Sequence, residues 1–401
     1  MSRVAPASIP SGTDRTENGQ ARQPRVLMVT AAYRPAVGGT ITHVNEVARR
    51  FGATNERATA ILTTDPSRIL PRSERDDSGI AIRRVRAWPS AGPLNDFYLA
   101  PGIAATIRRE RHRWDLVHLQ GYHTLVAPMA LQAAWRAGIP YVVTFHSGGR
   151  TGGVRGMIRE AQLQSLRPLL AHAQRLIAVS DFEAAFFRAR LRLPADRFVV
   201  IPNGVNLPTS AGASAVHAEP GPLLVSTGRL ESYKGHQRVI AALPHLLTRY
   251  PDIRLQIVGT GPYESELRSL IASLGLTERV TIGSLPPGDR AAMGELLRRA
   301  ALVISLSSFE SQGIGIGEAI ALGRPALVTN ATALAELVER GLAHGTPLDS
   351  TPEETAQAIH RALEMPLLRA HGAALPTWDD CAANLAALYR REVGLRHRAG
   401  G

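Results

Sequence analysis

The chain has 401 residues, 44% hydrophobic and 20% charged, with a net charge of +12 and one cysteine, Cys381. That length exceeds one ordinary core and suits two domains of mixed type. A single cysteine excludes an internal disulfide and a cysteine-built zinc site, and no apolar run approaches the ~20 residues that span a bilayer.

In chain order, residues 1–24 are polar and rich in Pro, Ser and Gly. They lack the apolar stretch of a signal peptide, so they are expected to be a disordered tail on a cytoplasmic protein. From 25 to 206 short apolar runs (26–32, 59–63, 116–119, 141–145, 176–179, 198–201) alternate with amphipathic stretches (41–51, 124–137, 156–173, 182–190). The densest basic cluster, 108–113, reads as a solvated helix end rather than a lipid patch. A Pro/Gly/Ala/Ser-rich stretch at 207–220 reads as a linker. The alternation restarts over 221–371, with strands at 223–226, 255–258, 280–282, 302–306 and 326–329. Helices are expected at 236–250, 264–274, 290–299, 318–322 and 352–364. Within 372–401 a last helix at 379–393 has no strand after it and is expected to cross back onto the first domain. This order predicts two doubly wound α/β domains, with ligands held beyond the carboxyl ends of the strands, in a cleft the domains share.

Of 46 basic residues, 45 are arginine and one is lysine, Lys234. An Ala-rich, Arg-for-Lys chain is what a GC-rich genome tends to produce. Arginine is a planar fork and lysine a compact point charge, so a lysine that survives such drift marks a place the fork does not fit. The arginines are spread along the chain without a basic block or interleaved aromatics, which argues against a nucleic-acid partner.

The neighbours of Lys234 give it a role. After the strand at 223–226 come Thr227-Gly228-Arg229-Leu230-Glu231-Ser232-Tyr233-Lys234-Gly235 and then a helix. A helix start offers free N–H groups and partial positive charge, Arg229 a fork and Lys234 a point charge, which together suit a diphosphate. After the strand at 302–306, Glu310 and Glu318 flank Ser311-Gln312-Gly313-Ile314-Gly315-Ile316-Gly317. The glycines are expected to let backbone N–H groups approach a ligand. Glu318, read as opening a helix, either balances the helix dipole or accepts hydrogen bonds from a ribose diol. In the first domain Gly38-Gly39 forms a weaker phosphate-type cradle, and His146 ends a strand beside Gly148-Gly149. His118 and His123 are weaker candidates, and no carboxylate cluster accompanies them with metal-site spacing.

Gly228-Arg229-Leu230 with Lys234-Gly235, and Glu310 with Glu318 across a glycine turn, resemble retaining glycosyltransferases of the large family 4 (glycosyl transferases group 1). The resemblance spans roughly residues 25–395 and takes in Gly38-Gly39, Thr144-Phe145-His146, Val179-Ser180, Ile201-Pro202-Asn203-Gly204-Val205 and Val258-Gly259-Thr260-Gly261-Pro262. It implies the GT-B fold, two Rossmann-like domains facing a cleft. It implies a sugar donor that is a nucleoside diphosphate sugar, UDP-linked, with no further cofactor and no metal. By that resemblance Arg229 and Lys234 would bind the diphosphate and Glu318 the ribose. Glu310 would contact the donor sugar, and backbone groups of Gln312, Gly313 and Ile314 would meet sugar and phosphate. Ser284 and Leu285 would lie near the base, Gly38 and Gly39 would close on the diphosphate, and His146 would reach sugar or acceptor. The chain departs from the family at Gln312, which could add a polar contact to the sugar, at Gly315-Ile316-Gly317, and at Asn206 in place of an acid. The acceptor stays open between a small molecule and a lipid-linked glycan, and with it a peripheral membrane contact. A UDP-sugar epimerase of the same fold, a phosphorylase using lysine for pyridoxal phosphate and a non-catalytic nucleotide-sugar binder are the alternatives.

Overall fold

The computed structural model describes residues 23–54, 59–89, 98–147, 153–207, 221–286, 288–367 and 375–399. Most of the expected tail and linker, and Gly148-Gly149, lie outside them. The chain divides into two compact units, 1–202 with 378–401, and 203–377.

The first unit is built on β1 (Val26–Thr30), β2 (Thr59–Asp65), β3 (Ser73–Arg75), β4 (Ala81–Arg86), a small β5–β6 pair (Trp88–Pro89 and Tyr98–Leu99), β7 (Leu116–Gln120), β8 (Tyr141–Thr144), β9 (Arg175–Ala178) and β10 (Phe198–Val200). Eight of these form one sheet in the order β10-β9-β8-β7-β1-β2-β4-β3, with β3 alone antiparallel. Every residue of β1, β2, β7 and β8 is buried, as befits parallel strands with helices on both faces. Those helices are α1 (Gly39–Thr54), α2 (Gly102–Arg109), α3 (Val126–Arg136), α4 (Gly153–His172) and α5 (Asp181–Leu191).

The second unit has six parallel strands in the order β13-β12-β11-β14-β15-β16. They are β11 (Leu223–Thr227), β12 (Arg254–Val258), β13 (Val280–Gly283), β14 (Leu302–Ser305), β15 (Ala326–Thr329) and β16 (His344–Thr346), with α6 (His236–Ala242), α7 (Glu264–Ser273), α8 (Arg290–Arg299), α9 (Ile314–Ala321), α10 (Thr332–Glu339) and α11 (Pro352–Glu364). Alternate residues feed two cores: Leu224, Leu255, Ile304 and Leu327 on one face, Val225, Val258, Val303 and Val328 on the other. The period of two along a strand produces this division.

The last helix, α12 (Trp378–Ala399), belongs to the first unit, as its lack of a following strand implied. Tyr389 reaches His118 at 2.6 Å, Asp379 pairs with Arg50 at 2.6 Å and Glu392 with Arg175 at 3.3 Å. One expectation is corrected, and several elements went unread in the sequence. The helix expected over 236–250 ends at Ala242 and tightens into a 3-10 turn at Leu243–Leu246, with Pro244 in its first turn; proline lacks the N–H that an α-helix interior needs. β4 escaped notice because Arg83, Arg84 and Arg86 break its apolar run. α2, α10 and β16 are short enough to hide among loops.

Candidate active site

In the second unit the strand order reverses between β11 and β14, and at such a switch the loops leaving two neighbouring strands diverge and leave room for a ligand. Both loops carry the residues singled out above. After β11, Ser232–Lys234 make a 3-10 turn closed by Gly235 at φ 76°. A Cβ on Gly235 would fall 2.1 Å from the Leu306 carbonyl oxygen, so only glycine fits. The Tyr233 carbonyl accepts the Ser308 N–H at 2.8 Å. The two loops are thereby stitched together, and Lys234 Nζ meets Glu310 Oε2 at 2.6 Å. Their side chains are 17% and 18% exposed. Burial opposes the charged ammonium, but the Glu310 carboxylate outweighs it and raises the Lys234 pKa. The ammonium is therefore charged at neutral pH.

Arg229 differs: its side chain is 57% exposed and rests on Glu231 at 2.9 Å. Its loop is braced from beneath, because Gly228 N–H donates to Val258 and Leu230 N–H to Thr260, each at 3.0 Å. The Val258-Gly259-Thr260-Gly261-Pro262 motif thus serves as backing for the Arg229 loop. His236, which the sequence did not reveal, is 1% exposed. It bonds Ser226 Oγ at 2.9 Å and the Arg229 carbonyl at 3.3 Å. Burial pushes its pKa down to about 4.

The glycine turn after Glu310 is built differently from the sequence reading. A Cβ on Gly315 would lie 2.7 Å from Thr227 Oγ1, and one on Gly317 2.5 Å from Val205. These two glycines admit other parts of the protein, not a ligand. Gly313, at φ 81°, caps α9, and the first-turn N–H groups of Ile314 and its neighbours carry the helix's partial positive charge. Gln312 is also corrected. Its amide accepts the Asn203 N–H at 2.8 Å and donates to the Asn203 carbonyl at 2.9 Å. The side chain is pinned to the main chain of the Ile201-Pro202-Asn203-Gly204-Val205 motif by its oxygen and one N–H, which leaves at most its second N–H and one lone pair for a sugar.

Glu318 does not open its helix. It sits one turn into α9, 3% exposed, and pairs with Arg290 at 2.5 Å. Arg290 is the first residue of α8, whose N-cap is Asp289. A carboxylate so buried needs such a partner. Ser284 is exposed and Leu285 partly buried, on the loop leaving β13.

The first unit has its own switch, between β1 and β7. Gly38 lies on the loop after β1 and Gly39 opens α1, with the Thr42 N–H donating to Gly38 at 2.9 Å. His146, on the loop after β8, adopts φ 52°. Its Nε2 meets Gln120 Oε1 at 2.8 Å, and its ring lies edge-on to His43 at 4.6 Å. Gln120 continues to His118 Nδ1 at 3.2 Å, and His118 Nε2 reaches Thr144 at 2.7 Å. Burial, then the neighbouring histidines, holds the His146 pKa well below its usual range; burial and His43 do the same to His118. Both rings are neutral at neutral pH. His118, 0% exposed, is a core residue. Glu183, fully buried on α5, accepts the Ser147 N–H at 2.5 Å and the Val179 N–H at 2.8 Å, and so fixes the backbone beside His146.

Two family models match the chain: Glycosyltransferase Family 4 over residues 37–208 and Glycosyl transferases group 1 over residues 213–373. The chain is 30% identical over 392 residues to a D-inositol 3-phosphate glycosyltransferase of Nocardiopsis dassonvillei, covering 88% of this chain and 89% of that one. This chain belongs to glycosyltransferase family 4. A second relative of this glycosyltransferase is the GDP-mannose:cellobiosyl-diphosphopolyprenol alpha-mannosyltransferase of Xanthomonas oryzae, 31% identical over 307 residues, 75% and 77% of the two chains. Among solved structures, sucrose-phosphate synthase from Thermosynechococcus elongatus superposes with a TM-score of 0.73 at 21% identity, over 92% of this chain and 99% of that one. Anabaena HepE in complex with UDP-glucose superposes with a TM-score of 0.66 at 19% identity, over 92% and 95%. These likenesses give the glycosyltransferase the GT-B fold.

Within its second unit, this glycosyltransferase gathers Lys234, Glu310 and the α9 N-terminus on stitched loops. Arg229 and the Glu318–Arg290 pair stand on loops and helix starts at the same edge of the sheet. His236, Arg290, Gln120, His43 and Glu183 escaped the sequence reading. The one signal available for His236 was its place directly after Gly235, at a helix start facing a phosphate-type loop.

Proposed function

We propose that the enzyme transfers a sugar from a nucleoside diphosphate sugar, UDP-linked, to an acceptor hydroxyl, with retention at the anomeric carbon and without a metal. The observation that carries this reading is the Lys234–Glu310 pair at the switch of the second sheet. A half-buried ammonium fixed on a carboxylate is a preorganised cation, and such groups act most strongly on charge that develops during reaction. As the anomeric C–O bond breaks, the departing diphosphate gains negative charge. Lys234 meets it with a point charge, and Arg229, exposed and held by a single carboxylate, swings onto it as a fork. Glu310 keeps the ammonium in place and faces the sugar. Glu318 accepts hydrogen bonds from the ribose diol, with Arg290 holding its carboxylate, and Ser284 and Leu285 border the base. The acceptor oxygen attacks from the face the leaving group vacates, and the leaving phosphate takes its proton. In the first unit, Gly38 and Gly39 offer backbone N–H groups to the diphosphate. His146, neutral and with Nε2 committed to Gln120, presents Nδ1 as an acceptor to a sugar or acceptor hydroxyl.

The names of the relatives support a nucleotide donor and leave the base divided, since one uses GDP-mannose and solved neighbours hold UDP or UDP-glucose. The acceptor is a small molecule or a lipid-linked glycan. A melting-temperature screen of UDP- and GDP-sugars, then turnover with hydroxyl acceptors and NMR of the product's anomeric proton, tests the reading. A UDP-sugar that stabilises the chain and yields a product of unchanged configuration is expected. An inverted product, or a new nucleotide sugar formed from donor alone, overturns it.

A further inference from the structure

The cluster at 108–113 takes on a different meaning once folded. β3 pairs with β4 only through Ser73–Arg75 and Ala81–Arg83, which leaves the outer edge of β4 at Val85 and Arg86 without a strand among the described residues. Beside that edge lies a cavity of about 700 Å³, bounded by β4, by the end of α2 and by Trp88. Arg72, Arg83, Arg84, Arg86, Arg109 and Arg113 line it, and Glu110 is the one acid among its described lining residues. Arg83 is in contact with Glu110. Arg84 is consumed by the fold: its side chain is 3% exposed, pairs with Glu74 at 2.7 Å, and donates to the Arg34 carbonyl at 3.0 Å. Arg109 is 76% exposed and stands 3.8 Å from Glu110, which Arg83 already occupies. Arg72, Arg86 and Arg113 meet no carboxylate among the described residues.

An arginine-rich chain will crowd arginines somewhere by chance. Elsewhere in this fold, arginines are answered by an acid, as Arg25 on Asp115, Arg190 on Glu160 and Arg268 on Glu264, or by main-chain carbonyls, as Arg167 on Leu191 and Arg197 on Ala173. Here six guanidinium groups share two carboxylates. Burial, then Arg113 and Arg109, lowers the pKa of Arg83, so the cluster strains against its own charge. Like charges crowded in a partly desolvated concavity repel by amounts that grow as the local dielectric falls. An anion relieves that repulsion; a planar fork grips the paired oxygens of a carboxylate or a phosphate, and the higher charge of a phosphate offsets more of the crowded positive charge. With Arg83 and Arg84 engaged, the four remaining forks of Arg72, Arg86, Arg109 and Arg113 suit more than one phosphate oxygen set.

We propose that this cavity is a second anion site, one that binds a phosphomonoester or diphosphate group through Arg72, Arg86, Arg109 and Arg113. It lies wholly in the first unit, on different elements from Lys234, and does not rest on the proposed reaction. Either a soluble phosphorylated compound or the headgroup of a lipid supplies this chemistry.

Calorimetric titration of the full chain with inorganic pyrophosphate tests the site, with the Lys234→Ala variant as background so that the other phosphate-type loop does not contribute. Saturable binding is expected. Adding Arg86→Gln and Arg113→Gln should weaken it about tenfold or more, while Arg86→Lys, which keeps the charge and loses the fork, should weaken it less. Both positions are at the surface, and an unchanged melting temperature shows that the variants fold. Flotation with vesicles of phosphatidylcholine, with and without phosphatidylglycerol, separates the sources. Capture by the anionic vesicles that pyrophosphate reverses assigns the site to a headgroup, and no capture assigns it to a soluble phosphate. Failure of pyrophosphate to bind, equal displacement by chloride at matched ionic strength, or binding indifferent to Arg86 and Arg113 overturns the proposal.

Discussion

At the switch of the second sheet the working groups are charged: a lysine on one glutamate, an arginine on another, and a third glutamate held by Arg290. At the switch of the first sheet His118 and His146 are held neutral by burial and linked through Gln120. The same topology therefore supports two kinds of site. One stabilises charge and must tolerate the desolvation of ions; the other positions hydrogen-bonding groups and excludes charge. The difference follows from what each loop can reach. The β11 and β14 loops are joined at the Tyr233 carbonyl, which accepts the Ser308 N–H, and this join holds an ammonium against a carboxylate. The β7 and β8 loops are packed under α1 and α12, where an unpaired ion would be costly.

Substitutions at four positions break or sharpen that contrast. The largest effect is expected from Lys234→Ala, which removes the fixed cation and leaves Glu310 unpaired. Its kcat should fall by about 10²–10³, and Lys234→Arg should recover little of this, because a guanidinium does not fit where a single ammonium sits between two loops. Wild-type turnover in both would remove the charged site from the mechanism. Gly235→Ala comes next: the left-handed backbone and the Leu306 carbonyl should together cost at least ~2 kcal/mol, read as a lower denaturation midpoint. A neutral result would mean the two loops are not held as tightly as the stitch implies. Arg290→Ala should raise the KM for the nucleotide sugar about tenfold, equivalent to ~1.4 kcal/mol, with kcat within about threefold, because Arg290 holds Glu318 and does not meet the reacting atoms.

The smallest effect concerns pH and tests neutrality itself. His236 is held near pKa 4 in the folded chain, against about 6.5 when unfolded. The unfolded chain therefore binds the extra proton first, and stability contributed by this residue is present above pH 6.5 and lost as pH falls toward 4. The slope reaches at most about 1.4 kcal/mol per pH unit. His236→Gln should flatten the acid limb of the stability curve by up to that amount. An unchanged acid limb would show that the ring is protonated at no cost, and so not buried as described.

The charged site was legible because its chemistry is local. Arg229, Lys234, Glu310 and Glu318 stand within a dozen residues of the end of an apolar run, and a lysine in an arginine-rich chain is conspicuous in composition alone. The histidine network was not legible, because it joins residues 43, 118, 120, 146 and 389, and neither spacing nor composition brings these together. Its partners are chosen by strand order and by α12. Gln312 and the glycines of α9 misled for a related reason. A glycine run beside a strand end reads the same whether the close neighbour is a ligand or, as with Thr227 and Val205, another part of the fold. The arginine cavity was hidden twice over, since its members come from β4 and α2, and β4 itself was disguised by the arginines it carries.

The return of α12 to the first unit has a consequence for how the molecule is made. Residues 1–202 emerge from the ribosome first, yet their unit needs Tyr389 on His118 and Glu392 on Arg175. Domains ordinarily fold as units during synthesis, the N-terminal one first. Here the second unit, contiguous from 203 to 377, is complete before the first. The seam over His118 cannot close before residues 378–401 are made, so the order in which the two units become complete is the reverse of the order in which they begin.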